Sequence, residues 1–287
     1  MSVVVNLAWS DDRRRRLVAA ALAPDILIGM PHLTPFGLSE TWLLKDLAHR
    51  HWLMLGQLLG LADADFRAPD GGEVYAAICA SALRRASLEI VAANDILSIR
   101  SSMATVGRTR LSSLHLLTIE GRDVAEVELV STFVHRTEQG RNGSIARINI
   151  EAFDCSPPER ASELAARAQQ VRRGELGEAG FARDRQVPRR SFTFRPSQQQ
   201  DFNGAGLFYF ANYQAVIDRA LEEWFGCPLT TLDRETYFLG NIDPHEEITV
   251  QLLSEEGSAQ VQVAIRRSDG KMIARQIATI GKGEKPE

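Results

Sequence analysis

The chain has 287 residues, of which 44% are hydrophobic and 24% are charged, and its formal net charge is −4. This length suits two domains of about 100–150 residues, and the composition supplies a hydrophobic core. The mildly acidic charge gives no reason to expect binding to nucleic acid.

The cysteines and the N-terminal segment narrow the class further. Cys79, Cys155 and Cys227 are too few and too far apart to predict a disulfide framework or a metal-ligand set. Arginines follow the first apolar stretch, the reverse of a signal peptide, and no apolar run approaches the ~20 residues of a membrane span. We therefore expect a cytoplasmic protein with no membrane association, no metal and no redox cofactor.

The first half of the chain is predicted to be a long helix followed by antiparallel strands. A short helix over 11–23 and a strand near 25–30 come first. The main helix, 38–60, has apolar residues at spacings of three and four, which indicate one buried face. After the turn at 70–72 the period changes to two, as is typical of strands. These strands are predicted near 73–90, 95–101, 110–119 and 124–136, with a hairpin turn at 120–123.

Residues 153–190 interrupt this pattern. Cys155-Ser-Pro-Pro158 is a breaker, 159–173 is polar and helical, and 174–190 is charged and contains glycine. We interpret the segment as a solvent-exposed linker between an N-terminal domain, 1–152, and a C-terminal domain, 191–287.

The second half repeats the order of the first. A strand at 191–195 and a turn at 201–206 precede a helix at 207–226. Four further strands follow, at 234–240, 246–254, 259–267 and 271–280. Residues 34–38 can be laid over 203–207, and 73–75 over 235–237. The repeat indicates gene duplication and a pseudo-twofold pair of domains.

Two segments carry a resemblance to known families. Residues 201–213, DFNGAGLFYFANY, resemble the signature of hot-dog thioesterases. Residues 30–45, MPHLTPFGLSETWLLK, with HRHW at 49–52, resemble the double-hot-dog acyltransferase/decarboxylases of polyketide biosynthesis, of which the leinamycin pathway enzyme is the prototype. The resemblance runs over about 31–280. It implies an α+β, tandem (double) hot-dog fold, in which each half is a long helix wrapped by an antiparallel sheet.

The resemblance also implies a reaction. Such an enzyme decarboxylates malonyl- or methylmalonyl-coenzyme A and delivers the acyl group to an acyl carrier protein. Coenzyme A is then part of the substrate, and phosphopantetheine belongs to the carrier. A tyrosine accepts the acyl group, and Tyr75 is the candidate here, with Tyr237 in the corresponding place of the second half. A phenol needs a nearby donor or cation for this role. The alternative is a strand tyrosine with a buried ring.

The starts of the two long helices are the predicted binding elements. Decarboxylation builds negative charge on the thioester oxygen, which unpaired N–H groups at a helix N-terminus can stabilise. His32 and Thr34 precede the first helix and are candidates for binding the carboxylate or donating a proton; the alternative is a purely local role in the loop. The candidate substrate-binding residues are Phe36, Gly37, Asp201, Asn203, Gly204 and Gly206.

Other functions stay open at this stage. An acyl-thioesterase would use Asp201 or His32 to position water, and a dehydratase would face these two residues across the halves. A non-catalytic module that binds acyl thioesters or carrier proteins is a further alternative. The arginines between 167 and 190 are either solvated or face coenzyme A phosphates or an acidic carrier. A homodimer is compatible with the sequence.

Overall fold

The computed structural model describes residues 12–61, 65–68, 71–107, 109–148, 159–175, 181, 187–227, 229–254 and 258–281. The helices are α1 Asp12–Ala21, α2 Glu40–Leu58, α3 Glu163–Arg173, α4 Gln198–Asp201 and α5 Phe210–Phe225. The first-half strands are β1 Asp25–Leu27, β2 Leu33–Thr34, β3 Gly37–Leu38, β4 Phe66–Arg67, β5 Glu73–Arg84, β6 Ile96–Gly107, β7 Arg110–Ile119, β8 Arg122–Arg136 and β9 Ile145–Arg147. The second-half strands are β10 Arg190–Phe194, β11 Thr230–Phe238, β12 Ile248–Leu252, β13 Gln260–Arg267 and β14 Met272–Gly281.

One antiparallel sheet joins the two halves. Its order is β1-β6-β7-β8-β5-β11-β14-β13-β12-β10, so each half contributes the same succession outward from the centre. The halves meet where β5 pairs with β11, with Ala80 opposite Tyr237 and Leu83 opposite Arg234. This repeated topology confirms the predicted tandem hot-dog fold.

The long helix of each half buries one face against its own part of the sheet. In α2, Leu43 and Leu47 are fully buried and belong to a core that includes Leu97 and Leu129 of the strands. In α5, Val216, Ile217 and Ala220 are equally buried in a second core with strands β12 to β14. None of the described helices combines the length and apolar character needed to cross a lipid bilayer.

A chain of polar side chains also links α2 to the sheet. His51 contacts Ser113 at 2.7 Å and Ser131 at 2.8 Å, and His115 contacts Ser113 and Ser101, each at 2.8 Å. Burial lowers the pKa of both histidines to about 3, so both rings are neutral at physiological pH. The prediction of His51 as a packed core residue is confirmed.

Helix α3 corrects the interpretation of the linker as solvent-exposed. Its Leu164, Ala165 and Val171 are buried against the central strands, in one cluster with Ala80 and Tyr237. Ser162 caps its start by accepting from the Ala165 amide at 3.0 Å. The polar composition of this segment conceals one narrow apolar face, and that face covers the joint between the halves.

The two largest differences from the predicted strand lengths are in β5 and β6. The first predicted strand, 73–90, ends at Arg84 and is followed by a turn of 3₁₀ helix, Leu88–Ile90. Strand β6 extends to Gly107, well beyond the predicted end at 101. In both places the alternation of side chains does not mark the end of the strand, because the strand end is set by hydrogen bonding to neighbouring strands.

Candidate functional site

The start of α2 is closed by the protein itself. Ser39 caps the helix by accepting from the Trp42 amide at 3.3 Å. The Glu40 carboxylate, in the first turn, forms a buried ion pair with Arg234 from the other half. Burial lowers the pKa of Arg234 to about 9, and this charge is compensated by Glu40. The positive end of this helix is thus occupied by a carboxylate of the chain itself.

The candidates around this helix make local contacts. The His32 Nδ1 accepts from the Gly29 amide at 2.9 Å, and its ring lies 4.5 Å from that of Trp42. Thr34 Oγ1 accepts from the Phe36 amide at 3.2 Å and donates to the Gly37 carbonyl at 3.3 Å. These bonds agree with the local alternative for His32 and Thr34.

Glycine is required at position 37 by the backbone conformation and by packing within the protein, without any ligand. Its φ is +103°, and a Cβ placed there would lie 2.2 Å from the carbonyl oxygen of Leu88. The space beside this glycine is thus filled by the segment that follows β5. Phe36 beside it is half exposed.

The start of α5 is different. Its N-cap residue, Tyr209, gives no side-chain hydrogen bond to the helix. The preceding turn satisfies its own amides, since Asn203 Oδ1 accepts from Ala205 and Leu207 at 3.1 and 3.0 Å. For the N–H groups of Phe210 and Ala211, as for those of Glu40 and Thr41 in α2, no acceptor is found among the described residues, but no described side chain places a counter-charge here. The Phe210 and Ala211 donors stand at the positive end of the helix.

A cavity of about 140 Å³ lies beside this helix start. Tyr209 and Phe210 line it on one side, and Trp52 of α2 and Ile78 of β5 line it on another. Its wall is mainly apolar, with polar groups from Tyr75, Asn203, Tyr209 and Asn241 and the charged side chains of Arg147, Arg172 and Lys271. An engineered cavity of about 150 Å³ holds one benzene molecule, so this space suits a group of a few carbon atoms.

Tyr75 lies at the polar end of this cavity, between a carboxylate and a guanidinium. Its hydroxyl donates to Glu73 and accepts from Arg136 Nη1 at 2.8 Å. The Arg136 guanidinium also lies 5.2 Å from the centre of the Tyr75 ring. Arg136 itself is held by Asn142 Oδ1, at 3.0 and 2.9 Å, and by the Ala205 carbonyl.

Asn142 ties this group to the second half of the chain. It is buried, and its side-chain amide donates to the carbonyls of Gly206 at 2.6 Å and Ile242 at 2.8 Å. Its backbone amide donates to Asp243 at 2.5 Å. The Tyr75 hydroxyl is therefore fixed relative to the turn that precedes α5.

The pKa of Tyr75 determines which chemistry its hydroxyl can supply. Burial raises the pKa, the hydrogen bond to Glu73 raises it further, and the charge of Arg136 opposes both. The phenol is therefore protonated at neutral pH. It is a donor at rest, and it becomes a nucleophile only if Glu73 takes its proton while Arg136 stabilises the anion.

Tyr237 makes the same local contact in a different place. Its hydroxyl donates to Glu235, two residues earlier, as Tyr75 donates to Glu73. Tyr237 is fully buried, however, and its ring packs against Phe181. It lies within the β5–β11 pairing, whereas Tyr75 pairs with Val134 of β8, outside it. The predicted correspondence of the two tyrosines is wrong, because the register places only Tyr75 at the cavity.

The other second-half candidates are divided between cavity and turn. Asp201 is buried, its carboxylate accepts from the Ser197 amide at 2.7 Å, and it does not line the cavity. Asn203 lines the cavity. Gly204 is exposed, and Gly206 has a φ of +69° that favours glycine.

Sequence reasoning missed Glu73, Arg136, Asn142 and Tyr209. A signal existed for Glu73, because residues two apart in a strand share a face. No local signal existed for Arg136, which lies 61 positions from Tyr75. No three His, Cys, Asp or Glu side chains are grouped as metal ligands in the described ranges.

The comparisons with known proteins agree on the architecture. No protein-family model and no curated protein matches the chain. Among solved structures, it is similar to the 12:0-ACP thioesterase from Umbellularia californica, with a TM-score of 0.63 and 10% identity over 90% of this chain and 95% of that one. It is also similar to an acyl-ACP thioesterase from Bacteroides thetaiotaomicron, with a TM-score of 0.59 and 10% identity over 90% and 96%. At this identity the likeness establishes the tandem hot-dog fold.

Proposed function

We propose that the protein is an enzyme that cleaves a short-chain acyl thioester of coenzyme A or of a carrier protein at the start of α5. One observation carries this proposal. A backbone donor without a described acceptor, the N–H of Phe210, lies at a mainly apolar cavity. The polar end of this cavity holds the Tyr75 hydroxyl, which accepts a hydrogen bond from Arg136.

The helix start supplies the electrostatics of the reaction. Attack on a thioester carbonyl, or decarboxylation next to it, places negative charge on the carbonyl oxygen. Fixed N–H donors and the positive end of a helix stabilise that charge without reorganisation. The hydroxyl of Tyr75, protonated at neutral pH, is a further donor at the same end of the cavity.

The cavity restricts the acyl group. A volume of about 140 Å³ accepts an acetyl or propionyl group and is too small for a chain of twelve carbons. The substrate class therefore differs from that of the 12:0-ACP thioesterase, although the architecture is shared.

Hydrolysis is the reaction that the architecture supports. The described carboxylate in contact with the site is Glu73, whose side chain is 59% exposed and thus open to water. Glu73 would take a proton from the attacking water, and the coenzyme A or carrier thiolate would leave with that proton. Neither Asp201 nor His32, the residues first considered for this task, lines the cavity.

Decarboxylation with transfer is the second candidate, and the surroundings of Tyr75 favour it. Its oxygen would attack the carbonyl while its proton passes to Glu73 and the coenzyme A thiolate leaves. Malonyl or methylmalonyl groups would lose carbon dioxide, and the enolate would be protonated. The thiol of an acyl carrier protein would then take the acyl group from the tyrosyl ester. Arg136 would stabilise the phenolate as it forms.

One experiment separates these reactions. The protein is incubated with propionyl-, malonyl-, methylmalonyl- and lauroyl-coenzyme A, with and without a holo carrier protein. Free thiol is measured by colorimetry and the carrier by intact mass spectrometry. Free acid without carrier acylation supports hydrolysis, whereas a propionyl carrier formed from methylmalonyl-coenzyme A supports decarboxylation and transfer. Tight binding without any product would contradict both and favour a binding module.

A further inference from the structure

A second recess adjoins the cavity and is lined by arginine. It has a volume of about 600 Å³ and lies between α3 and the ends of β6, β7 and β9. Its charged lining residues are Arg110, Arg147, Arg172 and Arg173, and its described lining contains no acidic side chain. We call these four residues the arginine basin. Arg147 and Arg172 line both the basin and the cavity, so the two spaces are adjacent.

In the part of the chain that the structure describes, no carboxylate neutralises the arginines of the basin. Among the described residues, none of the four forms a salt bridge. Arg110 donates to the Ala165 carbonyl at 3.0 Å and to Gln169 at 3.3 Å, both neutral groups. The Nε atoms of Arg110 and Arg147 are buried without an acceptor. Burial lowers the pKa of Arg147, and repulsion from Arg172 and Arg110 lowers it further.

The C-terminal end of helix α3 accounts for only two of the four arginines in the basin. Arg172 and Arg173 lie in its last turn, where basic side chains interact favourably with the negative end of a helix. Arg110 comes from β7 and Arg147 from β9, and neither has such a reason to be there. Placing like charges from three elements together, partly out of water, costs free energy. A bound anion would offset that cost.

We propose that the arginine basin binds the phosphate groups of coenzyme A, while the pantetheine arm runs past Arg147 and Arg172 to the thioester at α5. Planar guanidinium groups bind phosphate through paired, charge-assisted hydrogen bonds. This inference rests on the proposed function for the identity of the thioester, and it assigns coenzyme A rather than a carrier protein as the donor of the acyl group.

The test compares ligands that differ in phosphate. Dissociation constants for coenzyme A, dephospho-coenzyme A and pantetheine are measured by titration calorimetry with the full-length protein. The expected order of affinity is coenzyme A, then dephospho-coenzyme A, then pantetheine, with a preference for coenzyme A that weakens as salt rises. Arg147→Gln and Arg172→Gln should each weaken coenzyme A binding about tenfold and pantetheine binding much less.

A matched control is Arg122→Gln. Arg122 is 68% exposed, lies in the β7–β8 hairpin and pairs with Glu120, so its loss should leave all three affinities unchanged. Thermal melts of each variant exclude a loss of binding through unfolding.

The outcomes separate this inference from the proposed function. Equal affinity for coenzyme A and pantetheine, or equal losses for both in the arginine variants, would overturn the basin as a phosphate site. If acyl-pantetheine is then still cleaved, the proposed function stands alone. If binding depends on phosphate but no thioester is cleaved, the basin is supported as a phosphate site and the proposed function is contradicted. If the arginine variants use an acyl carrier protein less well while their affinity for coenzyme A is unchanged, the basin binds the carrier and the proposal is overturned.

Discussion

The two long helices of this protein begin in opposite ways, although the halves share one topology. At α2, Ser39 caps the helix and Glu40 pairs with Arg234 of the other half, so the positive end is occupied by the chain itself. At α5, Tyr209 gives no cap, and the helix start lies at a cavity. A duplicated fold thus provides two equivalent places for a ligand. The side chains across the joint decide that one is a structural contact and the other a candidate active site.

Breaking the ion pair at the start of α2 should have the largest effect on the free energy of unfolding. Glu40→Gln leaves the buried Arg234 without its counter-charge, and breaking such a pair by removing one partner costs about 3–5 kcal/mol in the free energy of unfolding. Urea denaturation measures this loss. Thioester cleavage by the folded fraction should be unchanged, because the contact lies at the other helix. A drop in the rate per folded molecule would show that the start of α2 belongs to the active site after all.

The two tyrosines give a matched pair for activity. Tyr75→Phe removes the hydroxyl between Glu73 and Arg136, and we expect the turnover number to fall about 100-fold. Tyr237→Phe removes the same local contact at a buried site, so it should cost about 2 kcal/mol of stability and little activity. Steady-state kinetics and urea denaturation check both variants. Equal activity of Tyr75→Phe and wild type would exclude this hydroxyl from the mechanism.

The two helix–sheet contacts should also differ in their response to acid. Unfolding restores the pKa of His51 and His115 from about 3 to its ordinary value of 6.5. The unfolded chain therefore binds more protons below pH 6.5, and stability is lost as pH falls from there towards 3. Each histidine should contribute about 2 kcal/mol to the loss between pH 7.5 and 5.

Urea denaturation at several pH values measures this slope. His115→Asn removes one titrating ring and should make the slope shallower. Hydrogen exchange should show the first half opening before the second at low pH, since α5 packs on the sheet mainly through Val216, Ile217 and Ala220. An identical slope in the variant would show that other groups cause the acid sensitivity.

The smallest expected effect concerns the acyl chain. Ala48 of α2 lines the cavity, so Ala48→Val should reduce the space for the acyl group. The preference for propionyl- over acetyl-coenzyme A should fall about tenfold, since one methylene is worth about 1–3 kcal/mol in such a pocket. Relative values of kcat/KM measure this preference, and undiminished turnover of the acetyl substrate shows that the variant folds. Retained preference for propionyl would place the acyl group elsewhere.

The sequence by itself determined the layout of this protein. The periods of three to four and of two located both long helices and the main strands, because side-chain burial repeats along each element. The repeated order and the 201–213 segment predicted the tandem fold, and Tyr75, Asn203 and Gly206 are indeed brought to one place.

Only the tertiary structure decided which helix start is open. His32, Thr34 and Gly37 have motif-like surroundings, yet Gly37 packs on Leu88 and the other two bond within their loop. Tyr75 and Tyr237 each follow a glutamate by two positions, and only the strand register separates them. The groups that complete the site, Arg136 and the arginine basin, come from distant parts of the chain. Their meeting depends on the pairing of β5, β7, β8 and β9 and on the packing of α3, and a local pattern contains no information about these long-range contacts.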